Sequence, residues 1–229
     1  MNKPVIKVDV VSDVVCPWCY IGKRRLEKAI DQLKDKIDFE IEYHAFELNP
    51  NTPKEGVNHK EYLIKKFGGE AKYQQLTSHV VSVAAGEGLK FNFGDSQVTP
   101  NTLDAHRLIA FAKQHGKQQE MKEALMSAYF EKGVDLSQTK NLIEEAVAVG
   151  LDKSKVEAFL KTEDLKAEVK LEEQLNQQRG ISGVPFYIIN NKYGVSGAQP
   201  TEAFLQVFTE VGSEASANAE ACDVESKEC

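Results

Sequence analysis

Two cysteines stand three residues apart in the stretch SDVVCPWCYIGKRRLEKAI, residues 12–30. A thiolate is both a nucleophile and a metal ligand. Cys16 and Cys19 could therefore form a dithiol–disulfide exchange centre, half of a zinc site, or two small core residues. The flanking pattern separates these readings. Residues 5–11, VIKVDVV, alternate with β-branched side chains and predict a strand. Pro17 suits the first helical turn, where its missing N–H breaks no bond. Leu26, Ile30 and Leu33 recur at helical spacing, so a helix is expected from about Cys16 to Lys34. Residues at i and i+3 face the same side of such a helix, with Cα atoms roughly 5 Å apart, a separation a disulfide accepts. The positive end of the helix dipole stabilises a thiolate, and Lys23, Arg24 and Arg25 are expected to add positive potential within two turns. Cys16 is then the more exposed, nucleophilic thiolate and Cys19 the resolving thiol one turn inward.

A zinc site needs two further ligands, and the sequence holds no second CxxC and no close His pair. Cys222 and Cys229 could complete four, but they lie in the terminal stretch GSEASANAEACDVESKEC, which is small, polar and acidic. No metal is expected. That stretch carries Glu214, Glu220, Asp223, Glu225 and Glu228 against Lys227, and so holds much of the net charge of −7. The mildly acidic remainder argues against nucleic-acid or anionic-membrane binding, which need clustered basic charge. No apolar run approaches the ~20 residues that span a bilayer, and the opening MNKPVIKVDVVSD lacks the unbroken apolar core of a signal peptide. A cytoplasmic protein is expected. In a reducing compartment a close cysteine pair points to redox chemistry or metal binding.

The elements that must position the pair divide the chain in four. IDFEIEYHAFEL (37–48) alternates again, which makes strand, helix and parallel strand from residues 1–50. Residues 51–179 then read almost wholly as helices, over 58–67, 70–85, 101–115, 118–132, 139–149, 153–161 and 163–179, with 89–101 as a loop. Residues 180–211 return to two short strands, FYIIN and YGVSG, joined by a tight Asn190–Asn191 turn, and end in an amphipathic helix over 201–211. Residues 212–229 predict a flexible acidic tail. The outer parts supply one small α/β domain and the middle is an insertion.

Strand, CPWC opening a helix, and a distant GVPF at 183–186 resemble the DsbA-like thioredoxin-fold oxidoreductases with a helical insertion. SDVVCPWCYIGKRRLE, TPNTLDAHRLIAFA (99–112) and GISGVPFYIINNKYGVSGAQP (180–200) resemble the FrnE-like branch in particular, across residues 5–211. The resemblance implies a thioredoxin fold with a large inserted helical domain. It also implies a cis Pro185 whose neighbour Val184 faces the cysteines and offers its backbone to an extended substrate. Without the resemblance, Pro185 reads as a proline at a strand start. Pro17 and Trp18 tune the potential in such proteins. DsbA carries a His where Trp18 stands, and Trp18 supplies no cationic donor, so a moderate reduction potential is expected.

Asn101, Thr102 and His106 fall in a region that the resemblance turns toward the site, although Asn101 or Thr102 also reads as a helix cap and His106 as a core histidine. Glu42 and His44 point the same way on the second strand. The tail linker from Gly212 has a random-coil reach of about 16–19 Å, so Cys222 and Cys229 form a candidate second redox pair that could exchange with the first.

The leading function is thiol–disulfide exchange or isomerisation on proteins. No cofactor is required, and glutathione or a thioredoxin-type protein is the candidate reductant for a monomer or homodimer. Two alternatives are a glutathione-dependent isomerase or transferase, whose families commonly place Ser at the Cys16 position, and a thiolate metal-binding or interaction module.

Overall fold

Valines and isoleucines on both faces make VIKVDVVS a strand covered from both sides rather than a half-exposed one. In the computed structural model, which describes residues 3–94 and 97–225 with side chains through Glu214, this strand is β1 (Val5–Ser12). Only its first residue is exposed. The helix α1 (Pro17–Leu33) follows, and β2 (Asp38–Ala45) returns parallel to β1 with Val8 opposite Ile41.

The inserted block comprises β3 (Val57–Asn58), α2 (His59–Phe67), α3 (Glu70–Gly86), β4 (Val98–Thr99), α4 (Leu103–Gln114), α5 (Gln118–Phe130), α6 (Thr139–Ala148), α7 (Lys153–Leu160) and α8 (Lys166–Gln178). Each expected helix is present. The segment 89–101, read from sequence as a loop, contains β4, which pairs antiparallel with β3. Two-residue strands are too short to leave an alternation in the sequence.

After the block, β5 (Phe186–Ile189) lies antiparallel to β1 with Tyr187 opposite Val10, and β6 (Tyr193–Ser196) closes a sheet of order β2-β1-β5-β6. The hairpin turns on Asn190 and Asn191 at φ of 49° and 55°, the left-handed pair of a type I′ turn. The last helix, α9 (Thr201–Glu225), runs well past Val211, where the amphipathic pattern stops. The helix expected over 201–211 is thereby longer than its amphipathic pattern. A Cβ on Gly212 would sit 3.0 Å from Ile37 Cδ1, and Tyr193 Oη donates to Glu214 at 2.6 Å, so this turn is still packed and bonded. The side chain of Cys222, and all of Cys229, lie outside the described residues. No described helix is long and apolar enough to cross a membrane.

Two cores meet on α1. Leu26 and Ala29, on its later turns, pack with Val8, Tyr187, Phe204 and Phe208 in the core of the sheet. Its first turn, Cys19, Tyr20 and Ile21, joins Leu108, Met121, Leu125 and Phe130 in the core of the inserted helices. The insertion is therefore built onto the cysteine turn.

His44 ties the insertion to the sheet. Its Nδ1 lies 2.6 Å from Glu172 on α8 and its Nε2 3.0 Å from Asp9 on β1, while Ala45 N–H donates to Glu172 at 2.8 Å. Burial opposes a charged ring, but Glu172 and then Asp9 outweigh it and raise the His44 pKa above its ordinary 6.5. A raised folded pKa stabilises fully below the unfolded pKa and loses that contribution as pH rises through the folded value. His44→Gln is expected to cost roughly 1–3 kcal/mol at pH 6, and the deficit should shrink by pH 9. Urea unfolding of both proteins at the two pH values checks this; a deficit that grows with pH contradicts it.

Candidate active site

Cys16 is the N-cap of α1, with extended backbone (φ −89°, ψ 113°) and Pro17 at the first helical position. Its carbonyl accepts from Cys19 N–H at 3.0 Å, so the helix begins by folding the second cysteine back over the first. Both are reduced. Neither is an exposed thiol: Cys16 is 4% and Cys19 2% accessible. Cys16 is the more accessible of the two, as expected, although the insertion covers the cysteine turn.

Pro185 reaches the site through a close approach of α1 to the start of β5. A Cβ on Gly22 would lie 2.3 Å from Tyr187 Oη and 3.2 Å from Pro185 Cγ, so only glycine lets the helix seat there. The Val184–Pro185 peptide bond is cis and Pro185 is buried. Val184 turns its carbonyl to Cys16, and Cys16 Sγ–H donates to it at 3.7 Å. Trp18 stands half-buried with its ring 5.9 Å from that of His79.

The charges that reach the thiols differ from those expected. Lys23 pairs with Glu27 and, at 2.6 Å, with Glu123; Arg24 pairs with Glu27 and Glu123; Arg25 holds Glu87 at 2.6 Å and the Ala198 carbonyl at 2.7 Å. Three carboxylates thus offset the basic run. Its place is taken by Lys122 of α5, a fully buried ammonium that donates to the Ser12 carbonyl at 3.3 Å. Burial depresses its pKa to about 8, against the opposing pull of Cys19 and Asp13. Burial raises the Cys19 thiol well above its ordinary range, neighbouring Cys16 raises it further, and Lys122 pulls it down.

Asp13, three residues before Cys16, is the counter-charge. It lies 3.2 Å from His106 Nε2 and accepts from Leu48 N–H at 2.8 Å. Burial disfavours its carboxylate, but His106, Leu48 N–H and Lys122 hold its pKa below the ordinary value. Nothing in the cysteine motif announces Lys122. Its one sequence signal is its spacing from Leu125, Met126 and Tyr129, which makes it a lysine on the buried stripe of α5.

The other sequence candidates separate. His106 is buried and meets Asp13, not the cysteines, at 3.2 Å. Asn101 bonds the loop after β2 through the Thr52 carbonyl at 2.9 Å and accepts from Leu103 N–H at 3.0 Å. Thr102 is the N-cap of α4 by position, is buried, and lines a cavity that Asn101 does not. That cavity, of about 390 Å³, is walled by Cys16, Trp18 and Val184 on one side and by Leu63, Leu76 and Val80 of α2 and α3 on the other. Asp9, Glu42 and His44 form the group of described residues with metal-ligand spacing, their ligand atoms within 4.8 Å of one another. It does not include the cysteines, and both His44 nitrogens already face carboxylates.

Known proteins resemble this chain in sequence and fold. Residues 7–209 match the family model of the DSBA-like thioredoxin domain. The Bacillus subtilis (strain 168) protein YwbO is 26% identical over 208 residues, 90% of this chain and 96% of its own. The crystal structure of a probable DsbA oxidoreductase from Streptomyces coelicolor superposes with a TM-score of 0.83 at 34% identity, covering 90% of this chain and 89% of that one. The cytosolic disulfide reductase DsbM from Pseudomonas aeruginosa, solved with GSH, shares the fold at a TM-score of 0.62 and 18% identity over 90% and 98% of the two chains. With a reduced dithiol at the start of α1 and a proline-bearing strand beside it, the chain belongs to the DSBA-like thioredoxin domain family of thiol oxidoreductases.

Proposed function

We propose that this protein is a cytoplasmic dithiol–disulfide oxidoreductase or isomerase of the FrnE-like branch, acting on protein disulfides through Cys16 and Cys19. The observation that carries the reading is the meeting of Cys16 Sγ with the Val184 carbonyl, 3.7 Å apart, at the N-terminus of α1. An extended substrate pairing with the backbone at Val184 would bring its disulfide to that sulfur. The Cys16 thiolate attacks one substrate sulfur, the other leaves as a thiolate, and a mixed disulfide forms. Cys19 then attacks Cys16 Sγ, releases the second substrate thiolate and closes the Cys16–Cys19 disulfide. The substrate gains two electrons and two protons, and the enzyme dithiol is oxidised.

Cys19 is a poor thiolate in its buried setting, and the Lys122 ammonium offsets part of that cost. Lys122 is thus a positioning charge for resolution. The structure of DsbM with GSH supports glutathione as a reductant that would regenerate the dithiol.

Insulin reduction with dithiothreitol tests the reading. Cys16→Ser should lower the rate at least a hundredfold, and Cys19→Ser should accumulate a mixed disulfide on non-reducing gels; three proteins that behave alike would sink it. Titration in glutathione buffers should place the Cys16–Cys19 couple well below the ~ −120 mV of DsbA, because Trp18 supplies no cationic donor to the nucleophile. Lys122→Met should slow disulfide closure about tenfold at pH 7, the effect of roughly one pKa unit at Cys19. Because the ammonium titrates at about 8, wild type and variant should converge above pH 9. A pH-independent difference in stopped-flow Trp18 fluorescence would mean that Lys122 only packs.

A further inference from the structure

Away from the cysteines, Asp9, Glu42 and His44 have the types and spacing of metal ligands. Asp9 of β1 stands opposite Glu42 of β2 in the parallel register, and His44 follows Glu42 by two residues. Side chains two apart in a strand share a face, so all three project from one side of the sheet. His44 Nε2 is 3.0 Å from Asp9 Oδ1 and 3.9 Å from Glu42 Oε1, and the three ligand atoms lie within 4.8 Å of one another. Nitrogen and oxygen ligands at about 2.0–2.2 Å from a tetrahedral zinc ion stand roughly 3.3 Å apart. The two His44 separations bracket that value, so small side-chain rotations close the set.

The two nitrogens of His44 meet different surroundings. On the Nδ1 side Glu172 forms a closed dyad, with one oxygen 2.6 Å from Nδ1 and the other accepting from Ala45 N–H at 2.8 Å. Metal-bound histidines ordinarily give their second N–H to a carboxylate held in this way, which fixes the tautomer and aims the free nitrogen. On the Nε2 side two carboxylate oxygens converge on one ring nitrogen, which has at most one hydrogen to offer.

Lysines meet the surplus negative charge. Lys7 Nζ lies 3.3 Å from Asp9 Oδ1, and Lys113 of α4 pairs with Glu42. Their side chains are 41% and 51% exposed and can swing into water, whereas Asp9 is buried on the central part of β1. A cavity of about 110 Å³ between β2, α4 and α8 borders Glu42, His44 and Glu172. It is several times the ~30 Å³ of a water molecule, room for the solvent ligand of an ion that has three protein ligands.

We infer that Asp9, Glu42 and His44 form a binding site for a divalent cation of the zinc class, with Glu172 as the carboxylate behind the histidine and water in the fourth position. One imidazole with two carboxylates suits Zn²⁺ or Co²⁺ better than Ca²⁺ or Mg²⁺, which take oxygen ligands. The ion takes the place of Lys113 at Glu42 and ties β1 to β2 and, through Glu172, to α8. The site stands apart from the dithiol and does not depend on the exchange chemistry.

Thiolates also bind zinc, so the test removes them in two ways. One protein is the full-length chain with Cys16→Ser, Cys19→Ser, Cys222→Ser and Cys229→Ser; the other is wild type with its thiols oxidised to disulfides. Equilibrium dialysis against zinc chloride, with the metal counted by atomic absorption, should find one zinc per chain in both. Cobalt should give the visible bands of a four-coordinate site without a sulfur charge-transfer band. In the serine protein, Glu42→Gln and His44→Gln should each weaken zinc binding at least tenfold. Glu42 is only half-buried, so its amide leaves the fold intact and the loss reads as binding. Lys113→Met, which removes the competing cation, should tighten binding at least threefold. Zinc should raise the melting temperature of the serine protein, since a ligand of the folded state stabilises it, and raise that of Glu42→Gln less. Fewer than one zinc per chain at saturation, equal affinity in the serine protein and both ligand variants, or an affinity that Lys113→Met leaves unchanged or weakens would overturn the site.

Discussion

Gly22 is where a helix that needs a side chain at every other turn does without one. Its missing Cβ lets α1 rest against Tyr187 and Pro185, and that contact sets how far the cysteine turn stands from the strand after Val184. A methyl group would meet the Tyr187 hydroxyl at 2.3 Å and push the helix away from the sheet. Everything chemical in the molecule follows from this seating. It places Cys16 Sγ against the Val184 carbonyl and leaves the first turn of α1 projecting into the inserted helices. Among the described residues, α1 contributes both to the core of the sheet and to the core of the inserted helices.

The shared helix explains the charge arrangement. A thiol buried under an inserted domain is hard to ionise, because burial in a low-dielectric interior disfavours the charged form. Surface cations cannot offset that cost at a distance, and those on α1 are in any case paired with Glu27, Glu87 and Glu123. The insertion that buries Cys19 also contributes Lys122, whose charge pulls the Cys19 thiol down and is balanced by Asp13 and through it His106. One domain therefore imposes the desolvation and supplies the charge that opposes it. Neighbouring Glu123 takes Lys23 and Arg24, so adjacent residues of α5 divide the work between core and rim. The same cover leaves Cys16 on the wall of a cavity that α2 and α3 also line.

Much of this was legible beforehand because it is local. The strand, the N-terminal proline, the helical repeat of Leu26, Ile30 and Leu33, and the Asn190–Asn191 turn each state their conformation within a few residues, and the structure has each of them. Family membership followed from three separated motifs, and residues 7–209 match the family model. Misreadings arose where the deciding partner lies far along the chain. Lys23, Arg24 and Arg25 read as a field on the thiols because Glu87 and Glu123 are distant in sequence. The last helix read as ending at Val211 because the hold on Glu214 comes from Tyr193.

By itself, then, the sequence determined that a dithiol opens a helix after a strand, that a proline-bearing strand follows a helical insertion, and that these belong to a thioredoxin-like frame. The first two rest on backbone preferences and side-chain periodicity, which act over one or two turns, and the last on the resemblance of three separated motifs to a known family. Only the tertiary structure decided that both thiols are covered and that Lys122 is the cation that pulls down the Cys19 thiol. Burial and pKa are properties of what surrounds a group on every side, and most of what surrounds Cys16 and Cys19 is more than forty residues away in the chain.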